Sequence, residues 1–513
     1  MGSRLLYIFS FNEIISNYYK TASMKQISVK TWIYFGVIFS FLLVLVFRNY
    51  FSLDEPNVLW AWRKGEALQW YKQYGIAEGR PVFCFLQIIT IELVNALANL
   101  KYLRIVTIVL SFLFCRMIFL YLQKKGVSQT LAFIISILVF SLPGFAVFIS
   151  WAECSMLVPS VMLSFYAGTL AVKVFANQLG EDKISKSKEN LLVFSAIALQ
   201  IVSLFNYQSL ALAFVIPAFF LLILKPEMPS KKRFVFFVSI IVVFGISLGI
   251  YYELFKSLLN SSGVVMTPRG NVGFANLPWK LKWFSGVLYE ATKLHFLLFK
   301  NLIVGNIFTL IIVVILIRDL IKMKFLDLFF LLSFCVLLFL PHLLIVDSWG
   351  ASRNFLLISL ILVFYMVTRI FEIIPTASNY AAAGIGLVFI AIMGFNIWEG
   401  WVKPMQKDYV VMNEFAGKLP AITTYTLIVE VTPPKFDMHE KQSVLKYYFD
   451  EFNAPLYSRI WPIEPGLKCL YGDIHPGISV DKISKLIKVY QDTVKLPAYE
   501  LNLTKIPLNL NYQ

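Results

Sequence analysis

The sequence predicts an all-α polytopic membrane protein of about eleven transmembrane helices, followed by a small extracytoplasmic C-terminal α/β domain. Three observations lead there. Of the 513 residues, 58% are hydrophobic and 15% charged, whereas soluble domains carry about 45–50% and about 25%. Mean hydropathy is +0.71. Apolar stretches near the ~20 residues needed to cross a bilayer recur along most of the chain. The same composition excludes intrinsic disorder and a disulfide scaffold.

The apolar stretches run, in order, over Thr31 to Phe47, Leu103 to Leu122, Leu131 to Ile149, Met156 to Phe175, Leu191 to Phe205 and Gln208 to Leu224. They continue over Phe234 to Tyr252, Leu302 to Ile317, Phe325 to Val346, Phe355 to Thr368 and Tyr380 to Ile397. Residues 1–30 read as a cytoplasmic or interfacial segment, within which Met24 is an alternative start, residues 31–398 as the membrane domain and residues 399–513 as the tail. No cleavable signal peptide is expected, because the first apolar run starts late and lacks a small-residue cleavage site.

The net charge of +16 and pI near 9.4 follow the positive-inside rule, so nucleic acid is not expected as a partner. Lys20, Lys25 and Lys30, Lys124 and Lys125, Lys183, Lys186 and Lys188, Lys231, Lys232 and Arg233, and Arg318, Lys322 and Lys324 all fall on one side if the spans alternate. That places the N-terminus in the cytoplasm and the C-terminus outside. Five cysteines show no paired spacing. Cys115 and Cys335 fall within spans and Cys84, Cys154 and Cys469 outside them, and no disulfide is expected.

Outer segments at residues 48–102 and 253–301, together with the tail, exceed the ~12–15 residues of an ordinary connection and are candidate functional regions. Pro81 to Leu100 carries Glu92, Asn95 and Asn99 at helical spacing, which predicts a helix lying in the interface. In the tail, Thr423 to Val431 reads as a strand, and Ser479 precedes a helical pattern through Val494.

The chemistry concentrates after the first span. Asp54 and Glu55 stand at the expected lipid–water boundary, followed by Trp60, Trp62, Arg63, Lys64, Trp70 and Gly79-Arg80-Pro81. Partial desolvation there raises a carboxylate's basicity, so the pair could take a proton from a hydroxyl or hold a divalent cation, Mg or Mn. The plainer reading is a solvated acidic turn before Pro56. Arg80, Arg269 and Arg353 fall on the same side and suit a phosphate through paired donors, although interfacial anchoring also explains them. Lys280 and Lys282 could assist, or lie with Trp279 and Trp283 in an aromatic belt. Glu153 could bind an acceptor or cap the next helix. No HExxH or Cys pair suggests zinc.

An inside N-terminus, an acidic pair after the first span, then Arg63, Trp70 and Gly79-Arg80-Pro81 resemble the integral-membrane glycosyltransferases that use polyprenyl-phosphate sugars, the C-type (GT-C) fold. More narrowly, the pattern resembles the serotype-converting O-antigen glucosyltransferase family. The Asn206-Tyr207-Gln208 turn and Arg353 of Trp349-Gly-Ala-Ser-Arg are similar to family features as well. The likeness covers about the first 400 residues, and Glu55 stands where the family commonly has a second Asp.

The resemblance implies transfer of a hexose, glucose expected, with inversion, from a polyprenyl-phosphate carrier to a surface polysaccharide such as O-antigen or to a lipid-linked acceptor. The needs of such a transfer, a base for the acceptor hydroxyl and cations for the departing phosphate, point to Asp54 as base, Glu55 as its partner or a metal ligand, and Arg80, Arg269 and Arg353 on the donor phosphate. Arg63, Trp70, Glu153, Tyr207, Gln208, Lys280, Lys282 and Trp349 would contact substrate. Membrane lipid is the remaining partner. The alternatives are a flippase for lipid-linked oligosaccharide or another polysaccharide transporter, which should place ionisable residues inside its spans, and a polysaccharide polymerase.

Overall fold

A computed structural model of the chain describes residues 29–52, 54–177, 185–267, 273, 277–293, 302–345, 352–373, 379–419, 427–431, 463–491 and 504–508. The apolar stretches all become helical. The helices that matter to the site are α1 (Val29–Val46), α2 (Glu55–Arg63), α3 (Pro81–Val94), α4 (Leu100–Lys124), α5 (Gln129–Phe140), α6 (Pro143–Ser150), α7 (Leu157–Asn177), α8 (Lys186–Asn206) and α9 (Ile216–Leu224). They are followed by α10 (Ser230–Ser262), α11 (Leu277–Thr292), α12 (Leu302–Ile321), α13 (Phe325–Leu344), α14 (Leu356–Ile373), α15 (Asn379–Ile397) and α16 (Lys403–Lys418), with α17 (Ile463–Ile474) and α18 (Val480–Leu486) in the tail.

Among the described residues, seven helices are long and apolar enough to cross a bilayer, or eight if α5 and α6 form one span bent by 57°. The chain is therefore a multi-pass membrane protein. The bend follows from Pro143, which sits in the first turn of α6 and cannot continue α5. Of the eleven expected crossings, the sixth is short: Leu210–Leu224 is an apolar helix of limited length. It opens with a 3-10 turn over Leu210–Val215.

Burial follows position in the bundle. α14 is buried all round, from Leu356 to Arg369, whereas α10 exposes Phe234, Val238, Val242 and Ile246 on one face. Such a face suits lipid, and the fully buried one a bundle centre. All five cysteines are buried, Cys84, Cys154 and Cys469 as well as the two expected within spans.

The ends of α10, α12, α13 and α14 carry an ion network that the hydropathy reading missed. Arg369 reaches Asp319 at 2.9 Å and Asp327 at 2.5 Å, Arg233 also pairs with Asp327, and Tyr365 donates to Asp319 at 2.5 Å. Arg318 and Lys324 meet Glu372 at 3.3 and 2.9 Å. Ionisable groups thus do lie within helices, and here they pair with one another. A buried charge needs such partners.

A separate α/β unit at the C-terminus is not supported. Three short strands, β1 (Leu427–Val431), β2 (Ile487–Gln491) and β3 (Thr504–Leu508), pair in parallel in the order β2-β1-β3. Helix α17, however, packs against α2 and α16, joining the described tail to the main body. Arg63 of α2 donates to the Cys469 carbonyl at 3.0 Å and pairs with Asp473 at 2.5 Å. The helix expected from Ser479 to Val494 ends at Leu486, where Ile487 pairs with Leu427 and the chain turns to strand. Long-range pairing overrides the local period there.

Candidate functional site

A cavity of about 440 Å³ opens at the end of the bundle where α2, α3, α7 and α14 begin. Its wall takes Asp54 and Asn57 from the start of α2, Trp70, Tyr74, Glu78 and Arg80 from the following loop, and Phe83, Cys84 and Gln87 from α3. Trp151, Glu153 and Cys154 come from the α6–α7 junction, with Leu157, Tyr207 and Arg353 completing it. The ion network around Arg369 lies at the other end of α14, about 20 Å away at 1.5 Å per residue.

The Gly-Arg-Pro motif shapes one side. Gly79 has φ 72, and a Cβ there would stand 2.5 Å from the Tyr251 hydroxyl and 3.0 Å from Gln208 Nε2. Both constraints demand glycine. Gln208 Nε2 donates to the carbonyls of Gly79 at 2.9 Å and Glu78 at 3.2 Å, and Tyr251 donates to the Gly79 carbonyl at 3.1 Å. Pro81, at the first turn of α3, needs no hydrogen bond from the nitrogen it lacks. Arg80 between them pairs with Glu78 and lies 5.3 Å from the Tyr207 ring centroid and 6.0 Å from that of Phe83.

Opposite acids and cations converge. Asp54 occupies the N-cap of α2, partly buried, with no side-chain cap hydrogen bond, and faces the cavity. Arg353 enters from the turn before α14 and stacks over Trp151 at 4.9 Å. Gln87 accepts from Trp70 Nε1 at 3.0 Å and donates to Glu153, whose second oxygen is buried without a hydrogen-bond partner. Trp70 and Tyr74 stack with ring centroids 4.1 Å apart. Tyr74 is brought in by a π-helical turn over Tyr71–Ile76, a wound-out geometry frequent at functional sites.

Several expected site residues are placed elsewhere. Glu55 is fully buried and not part of the cavity wall: its Oε2 accepts from the Ser52 amide at 2.6 Å and its Oε1 from the Ala152 amide at 2.7 Å, with Arg104 at 3.8 Å. Burial pushes its carboxyl above the ordinary range, while Arg104 and the amides of Ser52, Ala152 and Glu153 oppose that shift. Glu55 thus turns both oxygens to backbone amides while Asp54 lines the cavity, and among the described residues no group of three or more His, Cys, Asp or Glu side chains is placed to hold a metal.

Arg63 is spent on the tail and on the Asn95 carbonyl at 2.8 Å. Lys280 donates to the carbonyls of Leu343 and Ile345 at 3.1 and 2.5 Å, its ammonium pKa lowered by burial, and Lys282 is exposed on α11. Gln208 stands behind the cavity wall, holding the Gly79 turn. Arg269 and Trp349 lie outside the described residues. Glu153 belongs to the cavity rather than to a helix cap.

The sequence reading missed Glu78, Gln87, Tyr74, Asn57 and Trp151 as wall residues. Glu78 had a signal, since it directly precedes the Gly-Arg-Pro motif. Gln87 had none, since its place among the buried positions of α3 appears only once the helix is packed. Comparison with protein-family models, curated proteins and solved structures finds no match.

Proposed function

We propose that the chain is a bacterial inner-membrane glycosyltransferase, with the cavity on the extracytoplasmic side, that moves a hexose, glucose in the first instance, from a polyprenyl phosphate to a surface polysaccharide. The observation that supports this reading is the convergence of Asp54, Arg80 and Arg353 on one cavity beside an aromatic wall. A sugar hydroxyl needs a carboxylate to accept its proton, a departing phosphate needs fixed cations, and pyranose rings pack on aromatic faces.

In the proposed step the Asp54 carboxylate takes the acceptor hydroxyl proton as that oxygen bonds to the anomeric carbon. The bond from that carbon to the phosphate oxygen breaks, and the electron pair leaves with the polyprenyl phosphate, whose charge Arg80 and Arg353 hold. A single displacement inverts the anomeric centre. The described tail, tied to α2, would border the acceptor side. Among the described residues, the charges of the buried ion network pair with one another at the far end of the bundle, so they lend the transporter reading no support.

The test supplies membranes with labelled polyprenyl-phosphate glucose and analyses the product linkage. A new glucosyl branch is expected, and Asp54→Asn should lower the rate by at least ~10²-fold while the protein remains in the membrane. Retention of more than a few per cent of activity in Asp54→Asn removes the base assignment. Loss of long chains on deleting the gene, without loss of a branch sugar, indicates a polymerase; loss of all surface polymer indicates a flippase.

A further inference from the structure

Of the two adjacent acids, Glu55 is the more deeply buried, yet the cavity is lined by Asp54 alone. The two oxygens of Glu55 accept backbone N–H groups from different parts of the chain, Ser52 beside it and Ala152, 97 positions away. Ser52 lies just ahead of Asp54, and Ala152 immediately precedes Glu153. A single carboxylate therefore bridges the two backbone segments that deliver two of the cavity's three acids, Asp54 and Glu153.

Neighbouring contacts join the same two segments. The Tyr50 hydroxyl donates to the Ser150 carbonyl at 2.9 Å, and Trp401 Nε1 donates to Ser52 Oγ at 3.0 Å while its ring lies 5.7 Å from that of Trp151. Arg104 supplies the compensating charge. It stands 3.8 Å from Glu55, donates to the carbonyls of Arg48 and Tyr50 at 3.2 and 2.7 Å, and lies over the Tyr50 ring at 3.4 Å.

We infer that Glu55 is a positioning residue, a carboxylate staple that sets Asp54 against Glu153, rather than a second acid acting on substrate. Its chemistry suits that task. Two amide donors approaching from separate segments need two acceptor oxygens; a glutamine would turn its own NH₂ toward one of them. An aspartate is one methylene shorter and cannot span the same gap from the same backbone. A buried carboxylate is tolerable only with a countercharge and hydrogen bonds, and the pocket provides both.

The activity arm of the test rests on the proposed transferase reading; the exchange arm does not. The full-length protein in lipid nanodiscs is compared with Glu55→Asp, which keeps the charge and loses the reach, and with Glu55→Gln/Arg104→Met, which removes both buried charges together. Amide hydrogen exchange is followed in peptides covering residues 50–54 and 151–155. Both peptides are expected to lose protection together, by about tenfold or more, while peptides around Arg369 keep theirs.

With labelled polyprenyl-phosphate glucose, kcat should fall ~10- to 100-fold, as misplacement of a reacting group predicts, with the donor KM little changed. The acid limb of the pH–rate profile should persist, because Asp54 remains. Unchanged protection at 151–155 in both variants overturns the staple, as does disappearance of the acid limb, which would make Glu55 itself the titrating group. If the wild-type protein transfers no sugar, the proposed reaction falls and the exchange result alone decides the role of Glu55.

Discussion

The guanidinium of Arg80 lies 5.3 Å from the ring centroid of Tyr207, so a residue of the first long loop is seated on the turn that follows α8. A cation held over an aromatic face gains about 0.5–2 kcal/mol, depending on its desolvation. Tyr207→Ala should therefore raise the donor KM by roughly 2- to 30-fold through a mobile Arg80, whereas Tyr207→Phe, which keeps the ring, should stay near wild type. Steady-state kinetics with the labelled donor check this. Equal effects of both substitutions would assign the role to the hydroxyl.

Gly79 offers a stability prediction that needs no substrate. Gly79→Ala forces an L-residue to φ 72 with its Cβ 2.5 Å from the Tyr251 hydroxyl. The cost should be about 1–3 kcal/mol, seen as a lowered unfolding temperature in detergent. Adding Tyr251→Phe removes the atom in the way and should restore part of the loss; the backbone strain should remain.

Arg369 tests the far end of the bundle. Arg369→Met leaves Asp319 and Asp327 buried without their shared cation. Breaking such a buried pair costs about 3–5 kcal/mol. Expression and thermal stability should drop sharply, with partial recovery when Asp319→Asn is combined with it, since Asp327 keeps Arg233 as its partner. Arg353→Ala, by contrast, should lower donor use while the unfolding temperature holds.

The Asp473 carboxyl is held above the ordinary aspartate range by burial, with Arg63 opposing the shift. A carboxyl whose pKa is raised by folding is bound to its proton more firmly in the folded state than in the unfolded one. Stability from this group is therefore fully present below the unfolded pKa and lost as pH rises through the folded pKa. The unfolding temperature of the wild-type protein, measured against Asp473→Asn, should accordingly be relatively higher at acid pH than at neutral pH. A difference that moves in the opposite direction would show that the Arg63 ion pair dominates.

Much of the fold was legible because hydropathy and helical period are local. The stretch from Leu103 to Leu122 becomes α4, and Pro143 breaks the next one for reasons contained in its own ring. The site was legible in part. Asp54, Arg80, Glu153, Tyr207 and Arg353 all reach the cavity, since turns at one end of an alternating bundle share a face. Trp70 reaches it too, from the long loop after the first span. Gln87 and Glu78 were overlooked, the first because one polar residue on an apolar helix carries no direction until the helix is docked.

By itself, then, the amino-acid order determined the membrane environment, the succession of helices and the end of the bundle at which chemistry-bearing residues collect. Tertiary structure alone decided that Asp54 faces the cavity while its neighbour Glu55 turns away, that Arg63 grips the tail, and that Arg369 binds carboxylates from two other helices. The physical reason is the range of the forces. Burial of an apolar stretch is a sum over consecutive residues, whereas the fate of a charge depends on whichever amide or countercharge packing brings within about 3 Å, here from as far as 410 positions along the chain.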